Sequence, residues 1–309
     1  MSNDATLDGE HSAVDDLIRL LVAVDSHPGS AEYRARSYEL LGVAPGARVV
    51  DVGCGAGLAV EELADRGVTA IGVDHSERMI DTGRRVRPRA DLRVGDAYRL
   101  PFEDGELDGY RADKVYHEID DPARALDEAR RVLAPGGRIV LIGQDWDTFV
   151  IDSDDPVLTR LIVHARADTV ARPRAARQYR NMLLDGGFDD VTVETRVALF
   201  TDAAAMPMMS RIGRAARSKG GVSDEQAAAW VAEQAERART GRLFMAVPLF
   251  LAAGRRPRGR SSVRAGHVLK AEAKVCRGTS TGITGMLRLE AGLAVGRSGA
   301  VAKVDQGRR

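Results

Sequence analysis

Residues 49–57 read VVDVGCGAG, an apolar run interrupted by one aspartate and closed by three glycines spaced two apart. A glycine turn between the first strand and first helix of a doubly wound sheet brings backbone close to a ligand, at the carboxyl ends of the strands. The fingerprint for a dinucleotide is Gly-x-Gly-x-x-Gly. Counted from Gly53 it needs a glycine at 58, where the chain has Leu58; counted from Gly55 it meets Val60. No lysine stands where a P-loop requires one. Asp51, at the entrance of the turn, would repel pyrophosphate and attract a cation, so the expected ligand carries positive charge there.

Outward from this turn, strand-like and helix-like segments alternate. RVVDV (48–52), LAVEELADRG (58–67), AIGVD (70–74), SERMIDTGRRV (76–86) and DLRVGDA (91–97) are followed by LDGYRAD (107–113), PARALDEARRVL (122–133) and GRIVLIGQD (137–145). Pro135-Gly136-Gly137 reads as the turn into the last of these strands, and Ser76 as the N-cap of the second helix. Strand, helix, strand with short links means an α/β fold with a parallel sheet covered on both faces.

A helix at 174–185 and a strand VTVETRVAL (191–199) extend the pattern, and a helical stretch follows at 203–238, with Ser223 and Gln226 spaced as a capping box. LFMAVPLFLAAG (243–254) is the last strand, and Pro248 in it suggests an edge or a bulge. Ahead of the turn, VDDLIRLLVAV (14–24) and AEYRARSYELLGV (31–43) have helical spacing, the second stopped by Pro45-Gly46. The expected organisation is an N-terminal helical lid over 1–45, a ligand-binding domain over 46–257 with a helical insertion at 203–238, and a tail over 258–309. In that tail nine of 52 residues are glycine and none is aromatic, so it reads as mostly disordered.

S-adenosylmethionine fits a pocket that favours a cation, having an ammonium and a sulfonium in place of phosphates. Asp74, ending the second strand, can accept both ribose hydroxyls, and Asp96, after the third, can reach the adenine side. Through VVDVGCGAG, AIGVDHSERMI, VGDAYRLPFEDGELDGY and RRVLAPGGRIVLIG, in that order, the chain resembles the class I S-adenosylmethionine-dependent methyltransferases, in particular the UbiE-like group that methylates quinones and other small molecules. The resemblance covers roughly residues 31–254. It implies a Rossmann-like, seven-stranded, mainly parallel sheet with helical additions. It also implies that Gly53, Gly55 and Gly57 line the methionyl part, that Asp74 takes the ribose, that Asp96 and Ala97 take the adenine, and that Met79 packs on the adenine ring. His75 joins the cofactor set through its place beside Asp74; like His11, His27, His164 and His267 it has no partner at informative spacing. Cys54 reads as a small spacer within the turn.

Methyl transfer is an in-line displacement at an activated carbon, so the protein mainly aligns the acceptor and excludes water. A base is needed only where the acceptor loses a proton, and candidates come from the carboxyl ends of the fourth and fifth strands. After the fourth the chain reads ADKVYHEIDDP (112–122), where relatives often place a histidine at the position of Glu118; here His117 lies one residue earlier. On a helix that is a rotation of about 100°, so His117 is weighed both as a base and as a helix-surface residue, with Glu118 as a substrate contact. After the fifth strand comes GQDWDTFVIDSDD (143–155), in which Asp145 and Asp147 flank Trp146. Asp145 is a candidate catalytic acid or base, and Trp146 with Asp147 would suit a flat or cationic substrate; an N-cap and a packed indole in a loop fit the same residues equally. MPMMS (206–210) offers either an adaptable apolar surface for a hydrophobic small molecule or plain core packing.

The totals exclude several classes. Lys and Arg equal Asp and Glu at 45 each, but eleven basic and three acidic residues fall from Arg258 onward, leaving 34 against 42 before it. An acidic body matches phosphate backbones poorly, and RADKVY after the fourth strand lacks the Asn/Asp-Pro-Pro-aromatic box of base-amino methyltransferases, so no nucleic-acid partner is expected. Two distant cysteines, Cys54 and Cys276, and no apolar run of eighteen residues argue for a cytoplasmic protein without a membrane span. No His, Cys and carboxylate cluster has metal-ligand spacing. The expected function is methyl transfer to O, N or C of a small, aromatic or polyketide-like molecule. The alternatives are a cofactor-binding enzyme for a cyclisation or rearrangement, a nucleic-acid methyltransferase, and a cofactor-binding regulator.

Overall fold

The computed structural model describes residues 28–217 and 221–258. The helix expected at 14–24 and the tail beyond 258 lie outside the described residues. The chain divides into two units, Met1–Ser261 and Ser262–Arg309, and every described residue belongs to the first.

A helix α1 (Pro28–Leu41) leads to β1 (Arg48–Val52), α2 (Leu58–Ala64), β2 (Thr69–Asp74), α3 (Glu77–Val86) and β3 (Asp91–Val94). After a longer link come β4 (Leu107–Asp113), α4 (Pro122–Val132) and β5 (Leu133–Gln144). The remainder is β6 (Val150–Ile151), α5 (Pro156–Ala167), α6 (Ala175–Asp185), β7 (Asp189–Phe200), α7 (Met206–Arg217), α8 (Asp224–Arg239) and β8 (Met245–Arg255). Hydrogen bonding orders the sheet β3-β2-β1-β4-β5-β8, with β7 on the far side of β8 and the two-residue β6 also pairing β8. The first five strands are parallel, and all β8 pairings are antiparallel. Seven long strands match the expected number; β6 is an eighth, too short to show a period in sequence.

Parallel strands covered on both faces read as continuous apolar runs, and the core divides accordingly. Val49, Val140 and Ile142 pack on one face with α1 to α3 and with α5, α7 and α8. Val50, Val52, Ile139 and Leu141 pack on the other with α4 and α6. The strand order reverses between β1 and its neighbours β2 and β4, which places the topological switch point, and the ligand crevice, at the carboxyl ends of β1 and β4.

Several local expectations change. α1 ends at Leu41 and is closed by Gly42 at φ 57°, whose N–H bonds the Tyr38 carbonyl at 3.2 Å, so the stop precedes Pro45-Gly46. Pro135 and Gly136 lie inside β5 as a bulge: Leu107 pairs Leu133, while Gly109 pairs Arg138. Pro248 is in a central strand opposite Val197, yet β5 leaves β8 at Leu249 and β6 joins it only at Ala246, so the proline fills a gap on that side. The 203–238 stretch is two helices. Ser223 caps the second in a complete capping box, and Trp230 Nε1 donates to Thr159 Oγ1 at 3.0 Å, fastening α8 to α5. Met209 is fully buried and Met206 and Met208 pack against the core, so of the two readings of MPMMS the plain core one holds.

Candidate active site

The glycine turn leaves β1 with three left-handed residues. Gly53 (φ 66°) donates its N–H to the Val73 carbonyl at 2.7 Å, and a Cβ there would lie 2.2 Å from Val115 Cγ2 in the loop after β4. Gly57 (φ 82°) caps α2 and is pressed against Leu92. Gly55 (φ 54°) differs: the nearest atom on its Cβ side is Met79 Cε at 3.8 Å, so backbone is open to a ligand there and the half-buried Met79 faces it.

Asp74 organises this loop. Its Oδ2 accepts the Gly55 N–H at 2.9 Å and its Oδ1 the Ser76 N–H at 2.8 Å. Each carboxylate oxygen keeps a further lone pair for a hydroxyl. His75 is 90% exposed with Nδ1 3.6 Å from Asp74 Oδ1, a rim position. Asp96 is exposed and its Oδ1 accepts the Tyr98 N–H at 2.9 Å in a tight turn, with the half-buried Ala97 between them. An open Gly55 face, a carboxylate with spare acceptors and a thioether opposite suit an adenosyl ligand. Gly55, Asp74 and Met79 are the residues that would hold it.

Asp51 requires a correction. The sequence reading treated it as an unopposed negative charge, but β4 lies beside β1 with Arg111 in register with Asp51. Arg111 is 2% exposed and donates to Asp51 Oδ1 at 2.7 Å, Asp113 Oδ2 at 2.8 Å and Ser37 Oγ on α1 at 2.9 Å. Lys114, at φ 60°, adds a second cation, donating to Asp113 Oδ1 at 3.2 Å and to Tyr33 OH on α1 at 2.9 Å. Burial pushes the Asp113 carboxyl up, but Lys114 and Arg111 outweigh it and hold the group below its ordinary value. Two acids face two cations here, and the cluster ties α1 to the strand carrying the glycine turn.

At the ends of β4 and β5 the picture also changes. Residues 114–120 form a turn, not a helix, and His117 is only 7% exposed. Its Nε2 lies 3.2 Å from Glu118 Oε1, and its Nδ1 is buried with no hydrogen-bond partner among the described residues. The hydrogen bond from His117 is the main cause holding the Glu118 carboxyl below its ordinary value. The Trp146 ring lies edge-on to His117 at 5.6 Å, stacks on Phe149 at 5.4 Å and has the Arg166 guanidinium over it at 4.2 Å.

Asp145 is fully buried and gripped by Arg177 through both oxygens, while it also caps the turn Trp146–Thr148 by accepting the Asp147 N–H at 3.1 Å. Fully buried, paired with a guanidinium and accepting three hydrogen bonds, Asp145 is placed as a structural anchor rather than as a base. Asp147 is paired to Arg174. Both acids that suggested a cationic substrate are thus neutralised, and the free charge beside Trp146 is the positive Arg166.

Sequence reasoning missed Arg111, Lys114, Gln144 and Arg166. Arg111 had a signal, a charged residue in a strand that must be buried on both faces beside Asp51. Gln144 ends β5, is buried, and leaves Oε1 without a partner among the described residues.

Comparison with known proteins agrees with this geometry. Residues 50–141 match the family model described as a methyltransferase domain. Over 202 residues the chain is 36% identical to the uncharacterized 37.1 kDa protein in transposon TN4556 of Streptomyces fradiae, covering 63% of this chain and 58% of that one. Over 117 residues it is 36% identical to the demethylmenaquinone methyltransferase of Renibacterium salmoninarum, covering 38% and 49%. The chain thus spans about half the length of the curated relatives it matches. The YcgJ protein of Bacillus subtilis shares the fold with a TM-score of 0.53 at 18% identity, over 74% of this chain and all of that one. The fold and the glycine site together define a Rossmann-like methyltransferase domain. More narrowly, the chain is similar to the UbiE-like group of class I S-adenosylmethionine-dependent methyltransferases. Among the described residues no helix is long and apolar enough to cross a membrane.

Proposed function

We propose that the chain is a methyltransferase for a small organic acceptor that binds between the cofactor loop and the carboxyl ends of β4 and β5, with His117 as its proton acceptor. When bound, S-adenosylmethionine supplies a methyl group activated by its sulfonium. Gly55, Asp74 and Met79 hold the adenosyl part, with His75, Asp96 and Ala97 at its rim. The single observation behind the acceptor side is the state of His117. With Nε2–H donated to Glu118, the imidazole in its neutral form presents a lone pair at Nδ1, and that atom is buried without a partner among the described residues. His117 Nδ1 would take the proton that an acceptor oxygen or nitrogen loses on receiving the methyl group the cofactor would supply. Glu118 then faces an imidazolium, which its charge stabilises. The demethylmenaquinone methyltransferase similarity favours a small-molecule acceptor.

The test uses methyl-labelled cofactor, a small-metabolite extract and mass spectrometry of the labelled product. With the acceptor found, His117→Ala should lower kcat by about 100-fold or more, the lower range for a general base, while leaving cofactor affinity unchanged. An unchanged kcat would remove His117 from the chemistry.

A further inference from the structure

At the mouth of β4 and β5, two half-buried arginines lie near each other, and among the described residues Glu118 is the carboxylate that acts on Arg166. Arg166 on α5 is half-buried, lies over the Trp146 ring at 4.2 Å, and donates Nη1 to Thr169 Oγ1 at 2.6 Å. α7 packs against α5, and the half-buried Arg211 on α7 meets no carboxylate among the described residues. Burial, and after it the like charge of Arg211, weaken the hold of Arg166 on its proton, with only Glu118 acting the other way. Glu118 is already committed to His117, and Asp145 and Asp147 to Arg177 and Arg174. Glu118 is therefore shared between Arg166 and the His117 imidazole. Half-burying two like charges together is unfavourable unless an anion joins them, and arginine is the side chain suited to carboxylate or phosphate recognition.

A buried donor lies beside Arg166: Trp146 Nε1–H, on the ring that the guanidinium covers, has no hydrogen-bond partner among the described residues. Ring contacts join His117 to Trp146 and Trp146 to Arg166, so the arginines continue directly from the proposed base.

We propose that Arg166 and Arg211 form an anion-binding subsite at the far end of the acceptor pocket, so that the methyl acceptor carries a carboxylate or phosphate group. This rests on reading the mouth of β4 and β5 as the acceptor site. The anion bridges the two guanidinium groups, and Trp146 provides a flat wall between the anion and His117. The acceptor is then an amphiphilic acid or phosphate ester rather than the cationic molecule that the Asp-Trp-Asp sequence suggested.

The full chain, with and without saturating S-adenosylhomocysteine, would be titrated calorimetrically at low salt with inorganic phosphate, pyrophosphate and 4-hydroxybenzoate, and with neutral methyl 4-hydroxybenzoate as the control. At least one anion is expected to bind saturably and the ester not. Arg166→Gln and Arg211→Gln should each weaken that anion by about tenfold or more, the loss of one charge-assisted contact. Arg214→Gln, at an exposed arginine on the same helix, should leave it unchanged. Retained S-adenosylhomocysteine affinity in the variants shows that they fold. Preference for phosphate or pyrophosphate assigns a phosphorylated acceptor, and preference for the benzoate a carboxylic acid. Arginine-dependent anion binding in a chain that binds no S-adenosylhomocysteine would uphold the subsite and overturn the methyltransferase reading. No saturable anion binding, or binding equal in Arg211→Gln, would overturn the subsite.

Discussion

Arg111→Met probes the cluster that the sequence concealed. The guanidinium is 2% exposed and gives one hydrogen bond each to Ser37, Asp51 and Asp113. Removing one partner of a buried ion pair costs about 3–5 kcal/mol, because the carboxylates left behind stay desolvated. Lys114 still reaches Asp113 at 3.2 Å, which places the expected loss near the lower end, about 3 kcal/mol. For a domain of this size that corresponds to a fall in Tm of about 6–12 °C. Urea denaturation of the full chain, followed by circular dichroism, measures it directly.

The dependence on pH has a definite sign. The folded Asp113 carboxyl lies below its ordinary value, so its ion pairs contribute stability above the unfolded carboxylate range and lose it as pH falls through the folded value. The difference between wild type and Arg111→Met should therefore be full at neutral pH and shrink below about pH 4. A loss under about 1 kcal/mol at pH 7, the size of a surface ion pair, would refute the claim that Arg111 neutralises Asp51 in a buried site.

Three other outcomes follow from the glycine turn. Asp74→Ala should weaken S-adenosylmethionine binding by about ten- to a hundredfold, from the loss of charge-assisted hydrogen bonds of about 1.5–3 kcal/mol; calorimetry showing unchanged affinity would take Asp74 out of the site. Gly53→Ala puts a Cβ 2.2 Å from Val115 Cγ2 at positive φ and should destabilise by about 2–5 kcal/mol, whereas Gly55→Ala, with 3.8 Å of clearance, should cost only about 1–2 kcal/mol yet impair cofactor binding. If the two variants melt together, the close contact with Val115 is not what Gly53 serves. Burial pushes the Cys54 thiol well up, so peptide mapping after iodoacetamide treatment at pH 8 should find Cys54 largely unmodified in the folded chain and modified in urea; rapid labelling of the folded chain would contradict its role as an inert spacer.

The strands around the turn were legible because parallel strands are apolar runs punctuated by Gly, Pro and Asp. RVVDV and LDGYRAD coincide with β1 and β4. α5 was not visible: Asp155-Pro156 looks like the end of a loop, although it is an N-cap followed by proline in the first helical turn. In the site, Gly53, Gly55 and Asp74 were legible from their places at the ends of the first two strands together with the resemblance, because their geometry is local. Charges were not, because pairing depends on which strands become neighbours. Asp51 looked unopposed until β4 brought Arg111 beside it, and Asp145 looked reactive until α6 brought Arg177. His117 was misjudged for a local reason, since a turn buries the ring that a helix would have exposed.

The central claim is transfer of a methyl group from S-adenosylmethionine to a small acceptor, and product stoichiometry tests it most directly. Purified full chain, methyl-labelled cofactor and fractionated small metabolites would be incubated together, with S-adenosylhomocysteine and label incorporation quantified in the same sample. The account predicts one labelled methyl group in a small molecule for each S-adenosylhomocysteine formed, with both signals lost in Asp74→Ala at subsaturating cofactor. Tight cofactor binding with acceptor turnover but neither S-adenosylhomocysteine nor labelled product would contradict it.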